Sequence, residues 1–241
     1  MSLNEMIYKR LSVRKYTSEI LGEAVIHQIN VFLAGVKPLY PDIRIRTEIL
    51  GKENIRCLLP WIPNQAVVFY SEEKEGYLEN AGFIFQQLDL YLQEQGLGTC
   101  WLGMGKLDSY AKSQIEDGLE YVIMLSVGYP KEELRTDISQ FRRKALSEIA
   151  DREDARLEPA RLAPSSTNSQ PWYFTHEDDK IHVYCSKKGV LRHRILGEMN
   201  RIDIGIALAH MYVANPETFQ FLKCEDAAGI DGHEYVGSFC V

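Results

Sequence analysis

An α+β protein made of two tandem, half-complete repeats is the fold class this sequence predicts, and three observations predict it. Tyr77 to Gln95 carries Leu78, Ala81, Phe85, Leu88 and Leu92 on one stripe and reads as a core helix. Glu120 to Val127 is a continuous apolar run and reads as a central strand covered on both faces. The order of segments then recurs, with parts of its spelling. Val67-Val68-Phe69-Tyr70-Ser71 is answered by Ile181-His182-Val183-Tyr184-Cys185, and Glu120-Tyr121-Val122 by Glu234-Tyr235-Val236. We place the repeats at 1–144 and 145–241, packed together as one unit, the second truncated.

The elements follow in order. Leu3 to Leu11 reads as a short amphipathic helix that delivers the basic turn Arg10-Leu11-Ser12-Val13-Arg14. Leu21, Val25, Ile29, Phe32, Leu33 and Val36 recur at helical spacing up to Gly35 and Pro38. Ile43 to Ile49 alternates like a half-exposed strand, and Ala66 to Ser71 is a second strand. The long helix closes at Gly96, a residue suited to the left-handed cap conformation. A short helix spans Asp108 to Asp117. In the second half a helical stretch, Ala145 to Leu162, leads through a Pro/Ser/Asn-rich loop, Pro164 to Pro171, into a strand from Trp172 to Thr175. A helix from Met199 to Ala214 and a strand opening at Glu234 complete it.

At 241 residues, 45% hydrophobic and 25% charged, the chain has enough apolar content for a sizeable core. A net charge of −7 gives nucleic-acid binding no electrostatic support but leaves room for a local basic pocket. No run approaches the ~20 apolar residues of a membrane helix and Met1 to Arg10 has no apolar signal core, so a cytoplasmic protein is expected. The five cysteines have no Cys-x-x-Cys pair and read as reduced thiols, and the six histidines follow no metal-ligand spacing. Several segments carry two readings on their residues alone. Pro164 to Asn168 is an ordinary connection or a binding loop, Arg10 to Arg14 a solvated basic turn or an anion site, Gly96 and Gly98 a helix cap with a tight turn or a close approach to a ligand.

Taken together, Arg10-Leu11-Ser12-Val13-Arg14, Gly96-Leu97-Gly98-Thr99-Cys100-Trp101, Gly128-Tyr129-Pro130, Arg142-Arg143-Lys144 and Ala163-Pro164-Ser165-Ser166-Thr167-Asn168-Ser169-Gln170-Pro171-Trp172 resemble the motifs of the FMN-dependent nitroreductase family. The resemblance implies a nitroreductase-like fold of mixed, mainly antiparallel sheets flanked by helices. One departure is informative. In the family the Pro-Ser-Ser loop lies between the arginines and the core helix, whereas here Lys37-Pro38-Leu39-Tyr40 fills that place and the loop comes late. Because the family builds its flavin site across a two-fold interface, a duplicated chain would supply both sides from one polypeptide, as a pseudo-dimeric monomer or within a homodimer.

The resemblance further implies the cofactor FMN, NADH or NADPH as electron donor, and a small electron-poor acceptor such as a nitroaromatic or quinone. Arg10, Ser12 and Arg14, with Arg142 and Lys144, would hold the phosphate, since guanidinium groups meet phosphate oxygens through paired charge-assisted bonds. Pro164, Ser165, Ser166 and Asn168 would meet the polar edge of the isoalloxazine ring, and Gly98 would let backbone approach it. No protein nucleophile, general acid or metal is required, so no catalytic side chain is assigned. Two alternatives stand beside this reading: a flavin-binding or flavin-handling protein with little turnover, and a serine hydrolase on Ser165 or Ser166. The latter has neither a Gly-x-Ser-x-Gly elbow nor an identifiable histidine partner.

Overall fold

The computed structural model describes residues 2–57, 61, 63–187 and 190–241, the side chains of 190–196 excepted. By its internal contacts the chain divides into two units, 1–77 with 87–138 and 78–86 with 139–241.

In the first unit, helix α1 (Leu3–Ile7) begins where Ser2 and Glu5 satisfy each other's backbone N–H groups in a capping box. Helix α2 (Glu23–Gly35) follows, with Ile29 as its buried residue and Phe32 stacked on Tyr91 at 4.0 Å. Strands β1 (Ile45–Gly51), β2 (Ile55–Arg56) and β3 (Gln65–Ser71) precede the long helix α3 (Tyr77–Glu94), whose residues 78–86 count with the second unit. Gly96 closes α3 at φ +79°, and Leu97 N–H reaches back to the Leu92 carbonyl at 2.9 Å, the six-to-one bond of a Schellman cap. Strands β4 (Gly98–Trp101) and β5 (Lys106–Leu107), helix α4 (Ser109–Ser113) and strand β6 (Glu120–Gly128) complete the unit. Asp108 caps α4 through the Ala111 N–H at 2.8 Å. The helix is shorter than expected, since Gln114 already leaves helical geometry and Gly118 takes φ +77°. The sheet runs β1-β3-β6-β4, every pair antiparallel, so the apolar run of β6 is central as its composition predicts. One of its faces packs into a core of Ile55, Val68, Tyr70, Leu107, Leu119 and Met124.

The second unit corrects one expectation. Ala145 to Leu162 is not one helical stretch but α5 (Leu146–Ile149), a 3-10 turn (Ala155–Leu157) and α6 (Glu158–Leu162). Ala150 is extended and bridges Phe174 in parallel, while Asp151 turns away to accept from the His176 backbone and ring. Pro159 fits only the first turn of α6, where its missing N–H costs nothing. Strands β7 (Trp172–Glu177) and β8 (Lys180–Ser186), helix α7 (Val190–Ala214) and strands β9 (Gln220–Leu222) and β10 (His233–Cys240) follow, in the order β7-β8-β10-β9, again all antiparallel.

The two sheets therefore share one topology. Each is built from two neighbouring antiparallel strands, then, after a long helix, a short edge strand and a last strand inserted between the second and the edge. They share an irregularity as well. In β6 the register skips Val122, leaving Tyr70 opposite Tyr121; in β10 it skips Val236, leaving Tyr184 opposite Tyr235. A bulge at the third residue of both Glu-Tyr-Val echoes is a structural match that short-string similarity does not require.

Within the second unit the first half of α3 crosses α7 at two glycines. A Cβ on Gly82 would lie 2.0 Å from the Ile202 carbonyl oxygen, and a Cβ on Gly205 would lie 2.0 Å from that of Glu79. Each glycine thus sits against the residue three before its counterpart, a reciprocal contact that only residues without a side chain permit. Beside it Gln86 Nε2 and His210 Nε2 lie 3.1 Å apart, and His210 Nδ1 is 2.8 Å from the Pro159 carbonyl. This places the His210 proton on Nδ1, as donor to the carbonyl, and leaves Nε2 to accept from the amide. Among the described residues no helix is long and apolar enough to cross a membrane.

Candidate functional site

The predicted site residues fall in two groups, one in each unit. In the first unit the turn after α1 is strapped onto the sheet: Val13 N–H donates to Thr99 O at 2.8 Å, Thr17 N–H to Tyr129 O at 2.9 Å, and Lys131 N–H to Lys15 O at 2.9 Å. Gly98 makes the strap possible, since a Cβ there would lie 2.8 Å from Val13 Cγ1 and 3.0 Å from Pro130 Cβ. Its missing side chain is thus filled by the protein.

Arg10 is buried, and its Nε meets Asp89 of α3 at 2.8 Å. Asp89 also accepts from Gln93 Nε2 at 2.9 Å and from the Thr99 hydroxyl, while Gln93 Oε1 takes the Leu11 N–H at 2.8 Å. The first arginine of the motif is therefore fixed by a buried ion pair, with a second bond from its Nη2 to Ser12 Oγ at 3.3 Å. Arg14 is exposed; its backbone N–H and that of Lys15 both donate to Glu132 Oε2, at 2.6 and 2.9 Å.

Sequence reasoning missed Arg135. It donates from its guanidinium to the Arg10 carbonyl, and burial, together with the nearby charges of Arg10 and Arg14, pushes its pKa down to about 10. Three guanidinium groups thus crowd one end of the first unit. The available signal was the position of Arg135 five residues after Gly-Tyr-Pro.

In the second unit Arg142 and Lys144 lie against the Pro-Ser-Ser loop. Arg143 donates to Asn168 Oδ1 at 2.6 Å and Asn168 Nδ2 to the Arg142 carbonyl at 2.8 Å, so both ends of that amide are engaged within the chain. Gln170, buried, acts as a bracket: its Oε1 takes the Lys144 N–H at 2.7 Å, its carbonyl takes Lys144 Nζ at 3.1 Å, and its N–H donates to Ser165 Oγ at 2.9 Å. Pro164 is buried at the loop's start. Thr167, Asn168 and Gln170 all take positive φ, +52°, +56° and +47°. For a β-branched threonine this conformation is strained, and strain concentrated in one loop accompanies function more often than mere connection.

The loop rests on a group the sequence did not flag. Asp203 of α7 is buried and accepts the Ser166 N–H on both oxygens at 3.0 Å. Burial pushes its carboxyl well above the ordinary 3.8, with Ser166 opposing. A carboxyl with a raised folded pKa binds a proton the unfolded chain has released, so this group's contribution falls as pH rises from 3.8 to the folded value. Asp203→Asn keeps the acceptor for Ser166 and removes the titration. Its stability relative to the parent is expected to grow with pH by up to about 1.4 kcal/mol per unit in that window. Denaturant melts of both proteins at a series of pH values above 3.8 check this, and parallel curves would show that burial does not shift the Asp203 carboxyl.

Two buried polar atoms beside this loop, Ser169 Oγ and Trp172 Nε1, have no partner among the described residues. Buried donors are normally satisfied, so these are sites where a ligand acceptor would be accommodated. Among the described residues no group of His, Cys, Asp and Glu is arranged to hold a metal.

Comparison with known proteins gives the class. The model of the family described as "Putative TM nitroreductase" matches residues 2–215. A Thermotoga maritima structure, described as a "putative nitroreductase", superposes with a TM-score of 0.66 at 21% identity, covering 100% of this chain and 93% of that one. A nitroreductase family protein of Clostridium difficile 630 gives a TM-score of 0.51 at 16% identity over 64% of this chain and 99% of its own. No curated protein matches the chain. The chain belongs to this nitroreductase family, and its fold is the nitroreductase fold.

Proposed function

We propose that the chain is an FMN-dependent oxidoreductase that takes hydride from NADH or NADPH and reduces small electron-poor acceptors, nitroaromatics and quinones among them. The observation that carries this reading is the crowding of Arg10, Arg14 and Arg135. Asp89 pairs with Arg10, whereas Arg14 is exposed with no carboxylate within ion-pair distance among the described residues, and a guanidinium so placed beside two others fits a phosphate dianion. Arg14 and Ser12 would hold the phosphate directly, Arg10 would fix the turn and add its field, and Gly98 would let the strap close. In the second unit the Pro164 to Asn168 loop, stiffened by Gln170 and Asp203, would present hydroxyl and amide groups, with Arg142 and Lys144 setting its position. Bound FMN supplies hydride acceptance and delivery at its N5; the chain's own part is to bind, orient and keep water away.

The shared topology and bulge of the two sheets, with the reciprocal Gly82 and Gly205 contact, support reading the chain as an internal duplication with one flavin per chain. The internally bonded Asn168 amide favours a second reading, a flavin-binding protein with little turnover. Anaerobic addition of NADPH and NADH separates the two: bleaching of a yellow protein supports the oxidoreductase, and a yellow protein inert to both supports the second.

Arg14→Ala provides the site test. Loss of two charge-assisted bonds at about 1.5–3 kcal/mol each is expected to weaken FMN by roughly two to four decades, while the exposed position leaves stability nearly unchanged. Full retention of FMN by the variant would remove Arg14 from the phosphate site.

A further inference from the structure

A cleft of about 510 Å³ opens beside the strap, lined by Arg14, Lys15, Tyr16, Trp61, Asn64 and Lys131. Its size is that of an ordinary small-molecule site. Three of these residues are cations, and among the described residues no carboxylate comes within ion-pair distance of the Arg14, Lys15 or Lys131 side chains. The Glu132 carboxylate bonds instead to the backbone N–H groups of Arg14 and Lys15.

The aromatic wall is firmly set. Tyr16 places its hydroxyl 2.8 Å from the Val13 carbonyl and 2.8 Å from Ser126 Oγ, with its ring 6.1 Å from that of Trp61 at an interplanar angle of 45°. Gly128 leaves room for the ring, since a Cβ there would stand 3.1 Å from Tyr16 Cδ1. Asn64 ties the far side by donating to the Thr17 carbonyl at 3.0 Å.

A cleft that joins an aromatic platform to Lys15 and Lys131, beside the Arg14 assigned above to the flavin phosphate, selects a planar base carrying a phosphate of its own. Inorganic phosphate would leave the rings unused, and a neutral aromatic acceptor would leave the cations unused. We infer that this cleft takes the adenosine 2′-phosphate end of the electron donor and so favours NADPH over NADH, an inference that rests on the oxidoreductase reading above. The adenine would stack on Tyr16 or Trp61, and Lys15 and Lys131 would meet the 2′-phosphate, which NADH replaces with a hydroxyl.

Calorimetric titration of the flavin-loaded protein with 2′,5′-ADP and 5′-AMP tests this directly. The expected result is about tenfold or tighter binding of 2′,5′-ADP, and loss of that difference in the Lys15→Ala/Lys131→Ala variant, with flavin content unchanged. The same variant is expected to raise the KM for NADPH about tenfold without moving that for NADH. Equal binding of the two nucleotides overturns the inference, as does loss of flavin from the variant, which would assign the cleft to the flavin phosphate. Reduction by both donors with equal efficiency leaves the oxidoreductase reading standing and removes the preference. Failure of both donors to reduce the bound flavin overturns the oxidoreductase reading instead, and the nucleotide titration then decides the cleft on its own.

Discussion

Arg10→Ala is expected to destabilise the protein by about 3–5 kcal/mol, because it strands the buried Asp89 carboxylate without its counter-ion. Asp89 would keep its bonds from Gln93 and Thr99, but two neutral donors do not replace a guanidinium in a site closed to water. A urea or thermal midpoint measures the loss, and Arg14→Ala is the control. The two arginines lie four residues apart in one motif yet differ in kind, since one is buried and paired and the other exposed. If both variants melted like the parent, the Asp89 pair would not be holding the turn. The contrast also guards against a misreading, because loss of flavin in an Arg10 variant would report a damaged turn as readily as a lost phosphate contact.

Gly205→Ala and Gly82→Ala are each expected to cost about 3 kcal/mol or more, although alanine in a helix is intrinsically favoured over glycine by about 1 kcal/mol. The collision decides the sign. The added carbon would lie 2.0 Å from a main-chain carbonyl oxygen of the facing helix, and main chain cannot rotate away as a side chain can. Gly35→Ala at the end of α2 meets nothing within 4 Å and is expected to be neutral or slightly stabilising. Equal midpoints for Gly35→Ala and Gly205→Ala would show that the two helices do not approach this closely.

What the sequence made legible follows from how locally each feature is determined. The α3 stripe, the Gly96 cap and the apolar run of β6 are signals written within about twenty residues, and each element stands where its pattern put it. The broken stretch from Ala145 to Leu162 was not legible. Its charged residues look helical, but Ala150 is drawn into a bridge with Phe174 and Asp151 is claimed by His176, partners supplied by the fold. Strand β9, three residues long, carries too short a pattern to be read at all. At the site, the residue types in Arg10 to Arg14 and Pro164 to Gln170 pointed to their segments, while the groups that set them did not show. Asp89 reaches Arg10 across 79 positions and Asp203 reaches Ser166 across 37, separations that spacing alone does not connect. Gln170 stood in the motif, yet its work as a bracket to Lys144 depends on burial that only the folded chain reveals.

The measurement that bears most directly on the proposed activity is the absorbance spectrum of the purified protein after reconstitution with FMN, recorded anaerobically before and after NADPH. One FMN per chain, bleached by the donor and restored by a quinone or nitroaromatic, is the result expected. A colourless protein that takes up no FMN would contradict it.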